Sequence, residues 1–541
     1  MNLKPRRTGA ATWTRFAFAL AAVLSFVSSA DRAAVRIEDV PKPGGLLRLR
    51  GFPELFPPRL DPAQGDWIFV TQHIFDGLAR LDSQLNILPD LAEYWQVSDG
   101  GKTYTFFLRK DVRFHNGREL TSADVKFSLE RLLRPETRSP YAQFFLPKIV
   151  GAQDFYDGRS PEVTGYRALS RYIFEIRLRN PYISALSLLS MSFARILPKE
   201  LVLSQGRNFF FQPVGTGAFK FSYWMRSPKL DIVGVRLDRN DRYFGRKPYL
   251  DAIEFSPHFT DDQFRENEVD IMPFLWEGLA RTGCRVFEGG PLNLTYLMLG
   301  CRTPPFDRAR VRRAIALALD KQAIAEAVAS SAYVRRVTNN FIPVTLPGFF
   351  PFDSAQGPDP GQARRILEEE GFFYEKKFPE ILLCLEYPRS ETDTRLVKEI
   401  GRQFAAIGLT LDVRFYRSLE EMRNLRQPYL VRIDWQMDFP DPENIVQQLF
   451  VGPTVMNRTV NGYENRDLAA LLANAEIEPS WTRRLDYFLD MQRILSKDMP
   501  AIPLFSSEQR VAVQPYVRGV KIPAMGLYYL DAKAIWLDRK E

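Results

Sequence analysis

Residues 381–413 constrain the fold of this chain more than any other stretch. A short apolar strand at residues 381–386 is followed by helical spacing of apolar side chains over 391–407, then by Gly408 and an alternating strand at 409–413. A strand, a helix closed by glycine and a second strand form the pattern of a βαβ unit, in which a right-handed crossover joins two parallel strands. We therefore predict an α/β region whose ligands bind at the carboxyl ends of the strands.

Other segments predict single elements. Thr121 and Asp124 are spaced as a capping box and start a helix. The spacing of large apolar side chains predicts another helix over residues 67–81, and the Ser-Asp-Gly-Gly cluster at 98–101 predicts a hairpin turn between two strands. Three arginines flank a later apolar helix stripe, and we expect them to form a solvated face: Arg310, Arg312 and Arg313.

The first 30 residues have the three parts of a secretory signal. Four basic residues and no acidic residue come before an apolar run at residues 16–27. Small residues follow this run up to Ala30. A run of about 12 apolar residues is shorter than the roughly 20 that a membrane-spanning helix needs. We therefore expect an exported protein whose signal peptide, residues 1–30, is cleaved near Ala30.

Charge and cysteine content narrow the possible partners. The signal carries four of the eight net positive charges, so the remainder of the chain has too little excess charge to indicate a nucleic-acid partner.

Only three cysteines occur, Cys284, Cys301 and Cys384, so at least one thiol stays free and the fold depends on its hydrophobic core. Whether Cys284 and Cys301 form a disulfide is left open by their spacing.

Motifs for catalysis and metal binding are missing from the sequence. The three histidines, His73, His115 and His258, are far apart and have no cysteine or carboxylate at zinc-ligand spacing beside them. No HExxH or GxSxG motif occurs. We therefore predict no metal, no cofactor and no catalytic residue, and we expect a protein that is not an enzyme.

A long block at residues 91–125 is similar to a known family signature. It resembles the bacterial extracellular solute-binding proteins of family 5, the oligopeptide-, dipeptide- and nickel-type binding components of ABC importers. Further blocks follow in the family's order and extend the resemblance over roughly residues 44–541: residues 60–62, 75–78, 213–219, 239–244, 304–312 and 318–321. Many ordered blocks make a chance match far less probable than any single motif would.

The resemblance implies a two-lobed α/β clamshell, the periplasmic-binding-protein fold of type II in its large cluster C form, with an extra subdomain. The expected division, after the signal peptide, is a discontinuous lobe I, an inserted subdomain and lobe II: residues 31–75 with 181–289 and 511–541, residues 76–180, and residues 290–510.

The resemblance also indicates a binding site. Residues 434–442 are similar to the family's Trp-x-x-Asp segment, whose aspartate pairs with the ligand's α-amino group in peptide-binding members, and Asp438 has the matching place. An ammonium removed from water needs an opposite charge and full hydrogen bonding. We expect Asp438, Trp435, Met437 and Phe439 to contact the ligand. The alternatives are a capping or turn role for Asp438 and core packing for Trp435.

The implied function is that of a periplasmic solute-binding component of an ABC importer. It would capture di- or oligopeptides between two lobes by hinge closure and deliver them to permease subunits at the inner membrane, and we expect a monomer. Two alternatives remain: the same binding role for a metal chelate, haem, sugar or opine, and an exported peptidase-like enzyme.

Overall fold

The computed structural model describes residues 40–51, 59–273, 283–290, 292–330, 333–346, 357–374 and 376–539. The predicted signal peptide lies outside these ranges. None of the helices in the described ranges combines the length and the apolar character that crossing a membrane requires.

Strands and short helices alternate along the described chain. The strands are β1 Leu46–Arg50, β2 Ala79–Leu81, β3 Ile87–Pro89, β4 Ala92–Ser98, β5 Thr103–Leu108, β6 Tyr166–Ser170, β7 Ile173–Arg177, β8 Phe219–Arg226, β9 Ile232–Arg239, β10 Ala252–Ser256, β11 Ile271–Met272, β12 Arg285–Gly289, β13 Asn293–Leu299, β14 Tyr333–Val337, β15 Ile381–Glu386, β16 Leu411–Tyr416, β17 Tyr429–Gln436, β18 Ala501–Val513, β19 Val517–Arg518 and β20 Trp536–Leu537. The α-helices are α1 Ile68–Ile74, α2 Ser122–Leu133, α3 Ala142–Phe145, α4 Ala152–Tyr156, α5 Ala185–Leu189, α6 Lys199–Gln205, α7 Asp261–Arg265, α8 Ala309–Leu317, α9 Lys321–Ala327, α10 Pro360–Glu369, α11 Glu391–Ala406, α12 Pro442–Phe450, α13 Arg466–Ile477 and α14 Trp481–Asp498.

A large mixed sheet is organised around the long strand β18. Its order is β16-β15-β17-β13-β18-β11-β1-β10-β9-β8, and β12 and β14 also pair with β18. One end of β18 pairs with β13, Ala501 opposite Met298, while the other end pairs with β12, Val513 opposite Arg285. A single strand therefore connects the two halves of the sheet. A separate small sheet has the order β4-β5-β7-β6.

The predicted βαβ unit is present. Strands β15 and β16 are parallel, with Ile381 opposite Leu411, and α11 connects them. Gly408 ends the helix with a φ of 81°, and its N–H donates to the carbonyl of Ala405. The second strand begins two residues later than predicted, because the N–H of Leu409 donates back to Phe404 at 3.0 Å.

The capping box and the hairpin are also confirmed. Asp124 closes a capping box with Thr121 at the start of α2. Antiparallel strands β4 and β5 are joined through a turn at Asp99–Gly101.

The helix predicted over residues 67–81 is wrong in length. Helix α1 ends at Ile74, because a distant loop takes over its last carbonyl: Gly217 donates its N–H to Ile74 at 2.8 Å. The chain then leaves the helix at Phe75 in an extended conformation and forms β2, in which Leu81 pairs with Ile87.

The solvated arginine face is wrong for one of its three members. Arg310 and Arg313 are exposed, and Arg310 pairs with glutamates on α10. Arg312 is only 4% exposed, and it donates to the carbonyls of Phe306 at 2.7 Å and Asp498 at 2.8 Å. Buried backbone carbonyls require hydrogen-bond donors, and this guanidinium supplies them to two segments that are far apart in the sequence.

The hydrophobic core joins the small sheet to the region around β17. One cluster of buried side chains contains Phe106 of β5 together with Met437 and Phe439, which follow β17. Across this contact the rings of Phe144 and Phe439 meet edge to face at 5.6 Å. The three cysteines all lie in the described ranges and none is joined to another by a disulfide, so the core is held without one.

Candidate functional site

Asp438 lies in the loop between β17 and α12, where Asn444 holds it in place. The amide of Asn444 donates to Oδ2 of Asp438 at 3.0 Å, and its carbonyl oxygen accepts the backbone N–H of Asp438 at 3.1 Å. The same oxygen accepts the indole N–H of Trp435 at 3.1 Å. Asn444 has no exposed surface, so one rigid side chain orients both predicted ligand contacts. The helix cap is Asp441, whose side chain accepts the N–H of Glu443, and Asp438 does not have that role.

Two tyrosines from distant segments lie close enough to Asp438 for its charge to act on them. Burial raises the pKa of Tyr141, and the charge of Asp438 acts in the same direction. Burial also raises the pKa of Tyr529, again with a contribution from Asp438. Tyr141 precedes α3 and stacks on Phe193 with ring centroids 4.3 Å apart, whereas Tyr529 belongs to the C-terminal segment. Asp438 therefore lies where three separate segments of the chain meet, and not on the outer surface.

The Asp438 carboxylate is desolvated and lacks a neutralising cation. Burial raises its pKa to about 6, and the hydrogen bond from Asn444 only partly opposes this rise. In the described part of the chain, no lysine, arginine or histidine nitrogen lies within 4.0 Å of its oxygens. A half-buried carboxylate with one side-chain donor is able to bind an incoming ammonium group.

A cavity of about 570 Å³ adjoins this loop, and we call it the Trp435 cavity. Its volume lies in the range of small-ligand sites. Trp435 and Gln436 contribute one wall from the end of β17. Other parts of the lining come from β13, β14, β18, the start of α11 and the C-terminal segment, including Thr295, Ser507, Gln509 and Tyr528. Asp438 is not part of the lining and lies three residues beyond Trp435.

Two arginines line the Trp435 cavity, and they differ in how they are neutralised. Arg432 pairs with Asp393 and, at 2.8 Å, with Asp434. Arg335 donates to the carbonyl of Val328 at 2.5 Å, but no carboxylate of the described residues lies within 4.0 Å of it. Its Nε is buried without a hydrogen-bond acceptor. Arg335 is therefore the cation of this cavity with unused binding capacity.

Of the four predicted contacts, the structure places Trp435 on a cavity wall and Asp438 in the adjoining loop. Met437 and Phe439, which flank Asp438 in the sequence, point into the core, with exposures of 2% and 0%. Ligand contact by any of the four stays a prediction.

Four side chains were not anticipated: Asn444, Tyr141, Tyr529 and Arg335. Arg335 belongs to a basic pair with Arg336 in the run Tyr-Val-Arg-Arg-Val at residues 333–337, and this run gives no signal of a ligand contact.

Comparisons with known proteins identify the fold and the family. Residues 86–457 match the model of the bacterial extracellular solute-binding proteins, family 5 Middle. The dipeptide-binding protein of Escherichia coli (strain K12) is 26% identical over 515 residues, which cover 90% of this chain and 93% of the relative. Heme-binding protein A of Haemophilus influenzae is 24% identical over 489 residues, covering 83% and 84%.

A solved structure shows the same architecture. The periplasmic binding protein DppA from Helicobacter pylori, in complex with the peptide STSA, superposes with a TM-score of 0.74 at 23% identity, covering 93% of this chain and 100% of that chain. The predicted two-lobed α/β clamshell is thereby confirmed. Because members of this family are substrate-binding proteins of ABC transporters, the exported-peptidase alternative is wrong. This chain belongs to the bacterial extracellular solute-binding proteins of family 5.

Proposed function

We propose that this protein binds peptides with a free N-terminal amine in the periplasm and delivers them to the permease of an ABC importer. One observation carries the proposal: the desolvated Asp438 carboxylate, held by Asn444, has no cation within 4.0 Å among the described residues. An ammonium group arriving there would supply the missing charge. Tyr141 and Tyr529, which lie near enough to Asp438 for its charge to raise their pKa, would lie close to that group.

The electrostatics favour an ammonium over a neutral group. The raised pKa of Asp438 shows that burial disfavours its ionised form in the empty site. A bound cation removes this penalty and lowers the pKa again, so the carboxylate and the ammonium stabilise each other. A blocked amine, such as an acetamide, carries no charge and would leave the carboxylate unpaired.

The Trp435 cavity would hold the rest of the peptide. Its lining combines the aromatic face of Trp435 with neutral polar side chains, among them Thr295, Ser507 and Gln509. Such a wall accepts different side chains, while main-chain hydrogen bonds and bridging water supply affinity that does not depend on peptide sequence. Arg335, the cation without a carboxylate partner, would receive the carboxylate of the peptide.

Closure of the clamshell would couple binding to delivery. A ligand shifts the population from open to closed only as far as it binds the closed form more tightly. In the expected division Asp438 belongs to lobe II and Tyr141 to the inserted subdomain, so an ammonium bound near both would favour the form that brings these two parts together. We expect the permease to recognise this closed form, and the protein to act as a monomer.

A second candidate cargo is a carboxylate-bearing solute without an amine. Arg335 supports it, because the unpaired guanidinium would bind such a solute without any use of Asp438. One relative by sequence, heme-binding protein A of Haemophilus influenzae, is named for a cargo that is not a peptide.

Native mass spectrometry with a defined peptide mixture tests the proposal. The mixture contains tri-alanine, N-acetyl-tri-alanine and tri-alanine amide at equal concentration. We expect one tri-alanine to be retained per protein and N-acetyl-tri-alanine to be absent from the complex. Retention of both carboxylate-bearing peptides in equal amounts would instead favour the second candidate, and retention of none would contradict peptide binding.

A further inference from the structure

A second polar cavity, which we call the Arg195 cavity, lies apart from the Trp435 cavity. Its volume is about 270 Å³, and the two cavities share no lining residue. Six of the charged or titratable side chains in its lining come from α1, the loop after it, β2, the residue after β3, the segment before α6 and the C-terminal segment: His73, Asp76, Arg80, Asp90, Arg195 and Lys533. Tyr529 also lines the Arg195 cavity, and the charge of Asp438 contributes to its raised pKa.

Arg195 is a buried guanidinium without a hydrogen-bond acceptor. It is 8% exposed, and its Nε is buried with no partner. The nearest carboxylate oxygen, on Asp90, lies 4.0 Å from Nη1, which is too long for a hydrogen bond. Within the described ranges no other group accepts a hydrogen bond from this side chain. Burying such a group without acceptors is costly, so its position facing a cavity indicates an absent acceptor.

The acids of the cavity, in contrast, already have donors. Both oxygens of Asp76 accept hydrogen bonds, from Thr216 at 2.8 Å and from Tyr243 at 3.2 Å. Asp90 accepts the N–H of Gly77 at 3.2 Å. The two other acids in the lining likewise accept backbone hydrogen bonds: Asp82 and Asp531. The unused capacity of the cavity is therefore donor capacity.

The cavity lining contains four aspartates, but their combined negative charge opposes anion binding less strongly than this number suggests. Burial, together with the charge of Asp90, raises the pKa of Asp76, so its neutral form is favoured more than that of an exposed aspartate. Arg80 and Lys521 line the cavity alongside Arg195 and Lys533. His73 is 6% exposed, and its Nε2 also lacks a hydrogen-bond partner.

We propose that the Arg195 cavity binds a small oxyanion, a carboxylate or a phosphate, through the guanidinium of Arg195. A guanidinium presents two parallel N–H groups that match the oxygens of either anion, and both anions supply the acceptors that Arg195 lacks. The site is distinct from the peptide site proposed above and does not depend on it.

Thermal unfolding with inorganic phosphate and with succinate tests this site. Each anion is added at about 10 mM, against sodium chloride of equal ionic strength, because a ligand that binds only the folded state raises Tm. We expect at least one of the two anions to raise Tm by several degrees beyond the chloride control. A rise in Tm with phosphate but not with succinate would identify a phosphate site. A rise with succinate but not with phosphate would identify a carboxylate site. An equal Tm in all three salts would overturn the proposal.

Variants connect the shift in Tm to Arg195. Arg195→Gln should abolish the shift in Tm. Arg195→Lys keeps the positive charge but loses the two parallel N–H groups of the guanidinium, so it should weaken anion affinity, measured by calorimetry, at least tenfold. Arg159→Gln, which changes an exposed arginine, should leave the anion-induced shift in Tm unchanged. A shift that persists in Arg195→Gln would contradict the assignment. Phosphate should also leave the affinity for tri-alanine unchanged, and competition between the two would show that the cavity is part of the peptide site.

Discussion

Tyr182 donates a hydrogen bond to Glu443 at 2.8 Å, although 261 residues separate them. Ser184 donates to the other oxygen of the same carboxylate at 3.0 Å, and the Glu443 side chain has no exposed surface. Glu443 lies in the first turn of α12, one residue before Asn444. The segment that follows the small sheet is therefore tied to the helix that orients Asp438.

Removing the hydroxyl of Tyr182 should destabilise the protein. Tyr182→Phe leaves the buried Glu443 carboxylate with one donor fewer, which should lower the free energy of unfolding by about 1–3 kcal/mol. Urea denaturation measures the change. Tyr156→Phe, at a tyrosine that is 38% exposed, is the matched control and should have little effect. Equal stability of the two variants would show that the Glu443 contact contributes nothing.

Arg484 should be the most sensitive position in this network. It is 1% exposed and donates to both oxygens of Asp441 at 2.7 Å. Arg484→Met would leave a buried carboxylate unpaired and should cost about 3–5 kcal/mol of unfolding free energy. On the same helix, Arg493→Met changes an exposed arginine and should cost far less. A loss below about 1 kcal/mol for Arg484→Met would contradict this interpretation.

Peptide affinity should depend on pH through Asp438. Burial raises the pKa of Asp438 to about 6 in the empty site, so below that pH the carboxyl is protonated and a peptide ammonium must displace the proton. Affinity for tri-alanine should therefore be greatest near pH 7 and fall by up to about tenfold per pH unit below pH 6; it should fall again above about pH 8, where the free α-amino group of the peptide loses its proton. Calorimetry at several pH values measures this. A profile that is unchanged in Asp438→Asn would assign the dependence to another group.

Arg335 should recognise the carboxylate of the peptide. Arg335→Gln removes the cavity cation that has no carboxylate partner, and it should weaken tri-alanine binding about tenfold or more while leaving tri-alanine amide unaffected. Arg336→Gln is the matched control, since this neighbouring arginine is exposed and pairs with Glu508. If Arg335→Gln weakens both peptides equally, Arg335 has only a structural role.

The parts of the fold that could be predicted are those with local causes. The βαβ unit and the capping box at Thr121 depend on residues within one segment, and both are present. The end of α1 at Ile74 and the burial of Arg312 could not be predicted, because each is determined by a backbone group far away in sequence.

The candidate site divides in the same way. Trp435 and Asp438 belong to one short pattern and could be identified from the sequence. Tyr141 and Tyr529 could not, because only the tertiary fold brings them to Asp438. The anchoring role of Asn444 depends on the geometry of a single loop, and no spacing rule indicates it.

Isothermal titration of tri-alanine and N-acetyl-tri-alanine tests the role of Asp438 most directly. The unaltered protein should bind tri-alanine at least tenfold more tightly than the acetylated peptide, and Asp438→Asn should lose both this preference and at least tenfold in tri-alanine affinity. Asp412→Asn, at an exposed acid on β16, should behave like the unaltered protein. Equal affinity of the unaltered protein for the two peptides, with no change in Asp438→Asn, would contradict recognition of the amine by Asp438.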